Sequence, residues 1–229
     1  MKRLSVVLGV VALVAAMSFG ALAAEQVIFD TDFSNRFDTD LDVWIEDLLQ
    51  GWGTSTQAWA DVDFDTGQLK FGGFQPGSWD FNQLGLVLGH PMDLTDRTTV
   101  IEIDYAYVTT NEMNPAFADA IYEGEDIYGH NGFRLTVGPS TIQSAVLSGG
   151  DGSFSGLNTT ISHPAKVRWT LTHVSGANFT TTVAIDGELV HEGSVNLGSL
   201  NPAEVYFYLY ASSDQGGEAG INALRIVQN

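Results

Sequence analysis

The sequence contains no cysteine and few bases. Nine Lys and Arg stand against 28 Asp and Glu in 229 residues, a formal net charge of −19. The missing cysteines exclude disulfide scaffolds, Cys-ligated zinc, iron–sulfur clusters and thiol nucleophiles. The scarcity of bases argues against a nucleic-acid partner, because such proteins bring Lys and Arg to neutralise phosphates. No apolar run after Phe19 is long enough to span a bilayer, so no membrane insertion is expected. There is no Pro-rich linker and no internal repeat. Histidine is sparse: His90, His130, His163, His173 and His191 form neither H-E-x-x-H nor H-x-H, which argues against a transition-metal site. No Gly-x-Ser-x-Gly elbow and no Gly-Lys-Ser/Thr phosphate loop occurs. What is abundant is apolar and aromatic side chain, 44% and 11% of the chain, enough to exclude a disordered acidic tail.

The first residues read as an address. Met1-Lys2-Arg3 is basic, Leu4 to Phe19 is apolar and uncharged, and Ala21-Leu22-Ala23 supplies a small-residue cleavage site. A signal peptide over 1–23 is expected, leaving one domain over 24–229 that is exported to a periplasm or the extracellular space, consistent with a bacterial source. Losing Lys2 and Arg3 takes the charge from −19 to −21.

Beyond that, the spacing predicts strands. Val100 to Val108 alternates, with Ile101, Ile103, Tyr105 and Tyr107 on one face and Glu102, Asp104 and Ala106 on the other. Phe133/Leu135/Val137, Val167/Trp169/Leu171, Phe179/Thr181/Val183/Ile185 and Val205/Phe207/Leu209 alternate in the same way. A period of two means half-buried antiparallel strands. Asp186-Gly187 between two such runs predicts a hairpin turn. Leu84 to Leu88 and Leu224 to Val227 are further strands. Leu41 to Gln50 alone has helical spacing, while 111–131 and 148–156 read as long loops. The fold class is all-β: a single antiparallel β-sandwich, of jelly-roll type.

Several segments resemble concanavalin A-like lectin/glucanase (laminin-G-like) jelly rolls, in order along the chain. Val27-Ile28-Phe29-Asp30-Thr31-Asp32-Phe33-Ser34 is similar to their opening strand, and Asp65-Thr66-Gly67-Gln68-Leu69-Lys70 to their "DG-x-L" strand. Asp93-Leu94-Thr95-Asp96 resembles the turn before their central strand. Val183-Ala184-Ile185-Asp186-Gly187-Glu188-Leu189-Val190 resembles their late hairpin, and Gly220-Ile221-Asn222-Ala223-Leu224-Arg225-Ile226 their closing strand, with Asn222 where Asp is usual. The resemblance implies a concanavalin A-like fold with a glycan or polysaccharide partner. It also implies that calcium can tie the first strand to the last, which makes Asp30, Asp32, Asn222 and Glu218 candidate metal ligands. Laminarinase-type (family 16) hydrolases of this fold use E-x-D-x-E or E-x-D-x-x-E on one strand. Glu102 and Asp104 match the first two places, but Ala106 or Tyr107 occupies the third, so the acid/base carboxylate of a retaining pair is missing.

The remaining candidates come from residue pattern. Tyr206, Tyr208 and Tyr210 share a face opposite Val205, Phe207 and Leu209, and phenols offer an apolar plate with a polar tip on which sugar rings stack. The alternative is that they pack beneath a loop or in the core. Arg134 and Arg168 project from polar strand faces beside them in the expected groove, with Glu102 and Asp104. Trp52, Trp59 and Trp79 lie in Gly-rich contexts suited to a groove rim, whereas Trp169 belongs to the core. Residues 25–65 carry eleven acids against Arg36 alone. Asp38-x-Asp40-x-Asp42 and Asp61-x-Asp63-x-Asp65 look like calcium loops but lack the Gly and Glu of an EF-hand. The second also reads as the polar face of a strand carrying Val62 and Phe64. The function expected is non-catalytic carbohydrate binding. The alternatives are a surface or matrix assembly protein and a jelly-roll polysaccharide hydrolase or lyase.

Overall fold

The computed structural model describes residues 25–35, 37–38, 43–44, 48–52, 58–77, 83–121, 130–147 and 149–229. The expected signal peptide, the Asp40 and Asp42 carboxylates and Trp79 lie outside the described residues.

Every strand pairing among the described residues is antiparallel, and the strands form two large sheets. The first sheet is centred on β8 (Thr98–Val108), β14 (Ala165–Ser175) and β18 (Ala219–Gln228). On one side it continues through β15 (Asn178–Ile185), β16 (Glu188–Asn196) and the short β12 (Ser153–Phe154). On the other it continues through β6 (Gln68–Gly72) and the edge strand β5 (Trp59–Asp63), while β1 (Gln26–Thr31) pairs with the far end of β18. The second sheet runs β13 (Asn158–Thr160), β11 (Thr141–Val146), β10 (Gly132–Val137), β9 (Glu112–Ala118), β17 (Tyr206–Ser212), β7 (Gln83–Val87) and β4 (Leu49–Trp52). A small separate ladder joins β2 (Phe37–Asp38) to β3 (Val43–Trp44). The helical spacing read at Leu41–Gln50 thus gives way to strand at Val43–Trp44 and from Leu49 onward. A short amphipathic stretch carries too little helix propensity to resist pairing with neighbouring strands. No helix among the described residues is long and apolar enough to cross a membrane.

The inward faces follow the alternation. Ile101, Ile103 and Tyr105 of β8 and Val167, Trp169 and Leu171 of β14 meet Phe117, Phe133 and Phe207 of the second sheet in one core. Trp169 sits at the junction. Its ring centroid is 5.6 Å from that of Phe133 and 5.7 Å from that of Phe117, both edge-on, and 5.9 Å from Phe154, stacked. Its indole N–H donates to Thr181 Oγ1 at 3.0 Å, so the one polar atom of this buried ring is satisfied. The Asp186-Gly187 turn joins β15 to β16 with both residues at positive φ, 52° and 84°, as a type I′ hairpin demands.

Two departures from simple alternation position side chains. The first is a pair of bulges where β8 meets β18. Gly220 faces Tyr107 and Ile221 faces Tyr105, so Ala106 is the extra residue on β8; Ala223 then faces Asp104, so Asn222 is the extra residue on β18. The first bulge reverses the phase of β8. Tyr107, expected inside with Tyr105, turns outward, and Val108 takes the core position. The second is β9, read from the sequence as part of a loop and found near the middle of the second sheet. Its Glu-Met-Asn-Pro-Ala-Phe-Ala run is buried throughout and carries Pro115, which cannot donate to a ladder. The β9–β10 pairing is interrupted there, between Arg134↔Ala116 and Val137↔Met113. Asn114 fills the gap: its amide N–H donates to Leu135 O at 3.1 Å and its amide oxygen accepts from Arg134 Nη1 at 3.3 Å.

Candidate functional site

The expected groove residues divide between opposite faces of the sandwich. Tyr206, Tyr208, Tyr210 and Arg134 lie on the outer face of the second sheet. Glu102, Asp104 and Arg168 lie on the outer face of the first, so no single groove contains both sets.

On the second sheet the tyrosines face away from Val205, Phe207 and Leu209, as the alternation requires, but they are not open plates. Tyr208 and Tyr210 are fully buried and Tyr206 is half-buried beside them. Each has one small strand partner, Ala118 opposite Tyr206, Ala116 opposite Tyr208 and Gly85 opposite Tyr210, with Val87 and Asn114 on the other sides of Tyr208 and Tyr210. The rings therefore lie down and pack with Val87, Leu147 and Ile121. Tyr208 Oη donates to Ala120 O at 2.6 Å, and Arg134 Nη1 donates to Tyr210 Oη at 2.9 Å. Arg134 Nη1 also lies 3.1 Å from Glu112 Oε2, with side-chain exposures of 12% and 8%, and Ser212 Oγ donates to Glu112 Oε1 at 2.9 Å. Glu112 is the one carboxylate on any strand of this sheet and Arg134 the one base. The packing of the tyrosines under other residues is the alternative reading of their pattern. Sequence periodicity sees which face a residue takes but not what covers it.

On the first sheet, Glu102 is held by Arg168 Nη1 at 3.3 Å and Arg225 Nη1 at 3.6 Å. Asp104 Oδ1 accepts from Asn222 Nδ2 at 3.3 Å. Arg225 also bonds Asp30 Oδ2 at 3.3 Å and pairs with Glu25. This network ties β1, β18, β8 and β14 together across the outer face. Three of the four candidate calcium ligands have their side chains separately engaged. Asp30 is on Arg225. Asp32 Oδ1 accepts the Ser34 hydroxyl and N–H, which hold its carboxyl below the usual range. Asn222 bridges Asp104 and Gln68. The Glu218 backbone bonds Thr109. Among the described residues no group of three His, Asp or Glu is placed to hold a metal. Arg225 neutralises Asp30 and Gln68 Nε2 occupies Asn222 Oδ1, so an ion between the first and last strands would have to displace both contacts.

Trp59, read from the sequence as a groove-rim candidate, lies at the edge of the first sheet. Among the described residues Trp59 is the one exposed aromatic ring, at 41%. It begins β5 and shares its outer face with Asp61 and Asp63, the polar set already visible in the alternation with Val62. Opposite Trp59 on β6 is Gly72, and a Cβ there would lie 2.5 Å from the indole Cζ2. The ring thus lies over the bare backbone of the neighbouring strand. It walls a shallow, open depression of about 410 Å³ whose other sides include Asp61, Asp63, Phe64, Asp65 and Lys70. Lys70 Nζ is 2.7 Å from Asp63 Oδ2. That hydrogen bond, then those from Thr66, hold the Asp63 carboxyl well below the usual carboxylate range, and Asp63 in return raises Lys70. Asp63 Oδ1 also accepts the N–H groups of Asp65 and Thr66 at 3.1 Å each, closing the β5–β6 turn. Asp63 is therefore a turn and ion-pair residue rather than part of a calcium loop. The arrangement presents a flat apolar plate beside a fixed ammonium–carboxylate pair and free carboxylates, which is chemistry suited to a polyhydroxylated ring.

No family model matches the sequence, nor does any curated protein. Solved structures do match in fold. An endo-1,3-β-glucanase from Streptomyces sioyaensis superposes with a TM-score of 0.55 at 9% identity, covering 90% of this chain and 97% of that one. The Lotus tetragonolobus seed lectin gives 0.52 at 13% identity, covering 88% and 97%. The lectin from Bauhinia forficata in complex with GalNAc gives 0.53 at 12% identity, covering 80% and 98%. The fold is the concanavalin A-like jelly roll of lectins and glucanases.

Proposed function

We propose that this chain is an exported, non-catalytic carbohydrate-binding jelly roll. The observation that carries the reading is Trp59: a large ring left in water, laid flat over Gly72, beside a fixed Lys70–Asp63 pair. The combination carries it rather than exposure alone: a flat indole plate over a glycine, with fixed hydrogen-bonding groups at its edge. The axial C–H face of a pyranose stacks on such a ring while its hydroxyls reach the charged pair. Lectins among the fold neighbours support the class of ligand; export rests on the Met1–Ala23 pattern.

The absence of catalysis is supported by the carboxylates. Glu102 and Asp104 are committed to Arg168, Arg225 and Asn222, and the position a third carboxylate would take is Ala106, the bulged residue, or Tyr107 in the longer spacing, neither of which is acidic. On the other sheet Glu112 stands without a second strand carboxylate and is neutralised by Arg134. A retaining pair needs two carboxyl groups about 5–5.5 Å apart.

The test is binding to a glycan array and to soluble polysaccharides by affinity electrophoresis, with Trp59→Ala as the variant. Retarded migration of the protein, weakened about tenfold or more in Trp59→Ala, is expected for loss of one stacked ring. Absence of binding to every glycan, or binding that Trp59→Ala leaves intact, overturns the assignment.

A further inference from the structure

We infer that the Trp59 depression is one end of a longer platform that crosses the first sheet to Tyr107 and takes the interior of an uncharged polysaccharide chain rather than a single terminal sugar. The inference rests on the carbohydrate-binding reading of Trp59 and extends it to a second ring and a ligand class.

The second ring is built as the first is. Tyr107 lies over Gly220 of β18, where a Cβ would come 2.5 Å from Cε1 of the phenol. Two aromatic rings on one face, each resting on a glycine of the adjacent strand, mean that the sheet is cleared at both places where a ring lies. Tyr107 reaches this face only because the bulge at Ala106 reverses the phase of β8; without it the phenol would enter the core beside Tyr105. Bulges commonly re-aim a side chain at a functional surface.

The spacing follows from the register. Gly220 faces Lys70, and Gly72 is two residues further along β6 on the same face. With strands about 4.8 Å apart and about 3.4 Å of rise per residue, the two glycines lie roughly 8 Å apart. One sugar ring does not bridge two plates at that separation; a chain does. Lys70 lies level with Gly220, between the two glycines along β6, and a row of polar groups runs alongside the plates two residues further on. Lys70 is paired to Asp63, Gln68 Nε2 donates to Asn222 Oδ1 at 3.0 Å, and Asn222 donates on to Asp104. Fixed donors and acceptors along a line suit a repeating pattern of hydroxyls.

The charge selects the class. Asp61, Asp63, Asp65, Asp104 and Glu218 surround the platform against Lys70, with Lys166 facing Asp104 from β14, so acids outnumber bases there as they do in a chain of net charge −19. An anionic polymer bearing uronates or sulfates is repelled by such a surface, whereas an uncharged one loses nothing.

The experiment is calorimetric titration with uncharged gluco-, manno-, xylo- and N-acetylchito-oligosaccharides of one to six units, with polygalacturonate as the anionic control. Affinity is expected to rise about tenfold or more from one unit to the longer chains, as a second ring becomes engaged. Tyr107→Ala should abolish that rise. Trp59→Ala should weaken every length, and polygalacturonate should not bind. Because Tyr107→Ala removes a half-buried ring, the unaltered protein supplies an independent readout. On adding the hexasaccharide, the Trp59 indole N–H and the Gly220 and Tyr107 amides should shift together in NMR spectra. Binding that depends on Trp59 but is equal for one and six units, with shifts confined to β5 and β6, overturns the platform and leaves the carbohydrate-binding reading standing. Preference for polygalacturonate overturns the ligand class. No binding by any sugar removes both.

Discussion

Asp63 and Lys70 show how much of this surface is decided by single contacts. The Lys70 hydrogen bond is the largest cause of the lowered Asp63 carboxyl, and the exposed position of the pair makes it a matter of orientation more than stability. A depressed carboxylate contributes above its unfolded value of 3.8 and loses that contribution as pH falls through its lower folded value. A raised lysine contributes below 10.5 and loses its part as pH rises through its higher folded value. The depression should therefore keep its charge pair from ordinary carboxylate pH up to ordinary lysine pH. NMR titration of the Asp63 carboxyl carbon is expected to place its midpoint below 3.8, and Lys70→Ala should move it upward, towards that value. A midpoint unchanged by Lys70→Ala would assign the shift to the turn N–H groups instead. At this scale the sequence was partly legible. The alternation of Asp61 and Asp63 with Val62 gives the polar face of β5, but the Gly-rich context reads Trp59 as part of a rim rather than as the first residue of that face. What it did not show is that Gly72 and Gly220 lie beneath rings, because a glycine's partner is a property of register, not of its own neighbours in the chain.

At the scale of elements, β9 is the instructive strand. Its sequence hides it: Pro115 breaks the donor row, Asn114 reads as a turn former and both faces are buried, so no period of two is present. By contrast β8, β14 and β15 each bury one face and declared themselves, and β17 declared itself through the alternation of tyrosines with core residues although both its faces are buried. The bulged end of β8 was misread for the opposite reason, since clean alternation through Tyr107 concealed an extra residue dictated by β18. Once β9 is in place, Glu112 and Arg134 meet across β9 and β10 with Ser212 of β17 completing the carboxylate's bonds. Burial makes this pair costly to break from one side. Removing one partner of a buried pair costs about 3–5 kcal/mol, while replacing both with apolar groups is often near neutral. Glu112→Leu and Arg134→Met should each lower the urea unfolding free energy by about 3 kcal/mol, and the double variant by much less than the sum. Additive losses would show that the two side chains act independently and that the sheet needs neither as a pair.

For the whole molecule, the order of weak motifs along the chain pointed to the sandwich, because topology is conserved in sequence order even where each strand signature is loose. The site was less legible, since it forms where strands distant in sequence, β5, β6, β18 and β8, come side by side. The charge is also a property of the whole. With 28 acids and 9 bases, at least nineteen acids have no base of their own, and the ion pairs that do form on the outer face of the first sheet are partly exposed. Two effects of salt then oppose each other. Screening weakens each exposed pair, worth about 0–1 kcal/mol. It also weakens the repulsion among the excess acids, which acts over a Debye length of about 30 Å at 0.01 M and about 8 Å at 0.15 M. The pairs are few and short-range, whereas the repulsion sums over the whole surface and opposes the compact state. The melting temperature is therefore expected to rise between 0.01 and 0.15 M sodium chloride, measured with a chelator present so that divalent ions play no part. Chloride is the anion of choice because sulfate would add its own strengthening of apolar burial. A melting temperature that falls over this range would mean that Arg225 with Glu25, Asp30 and Glu102, rather than the acid excess, governs the electrostatics of the fold.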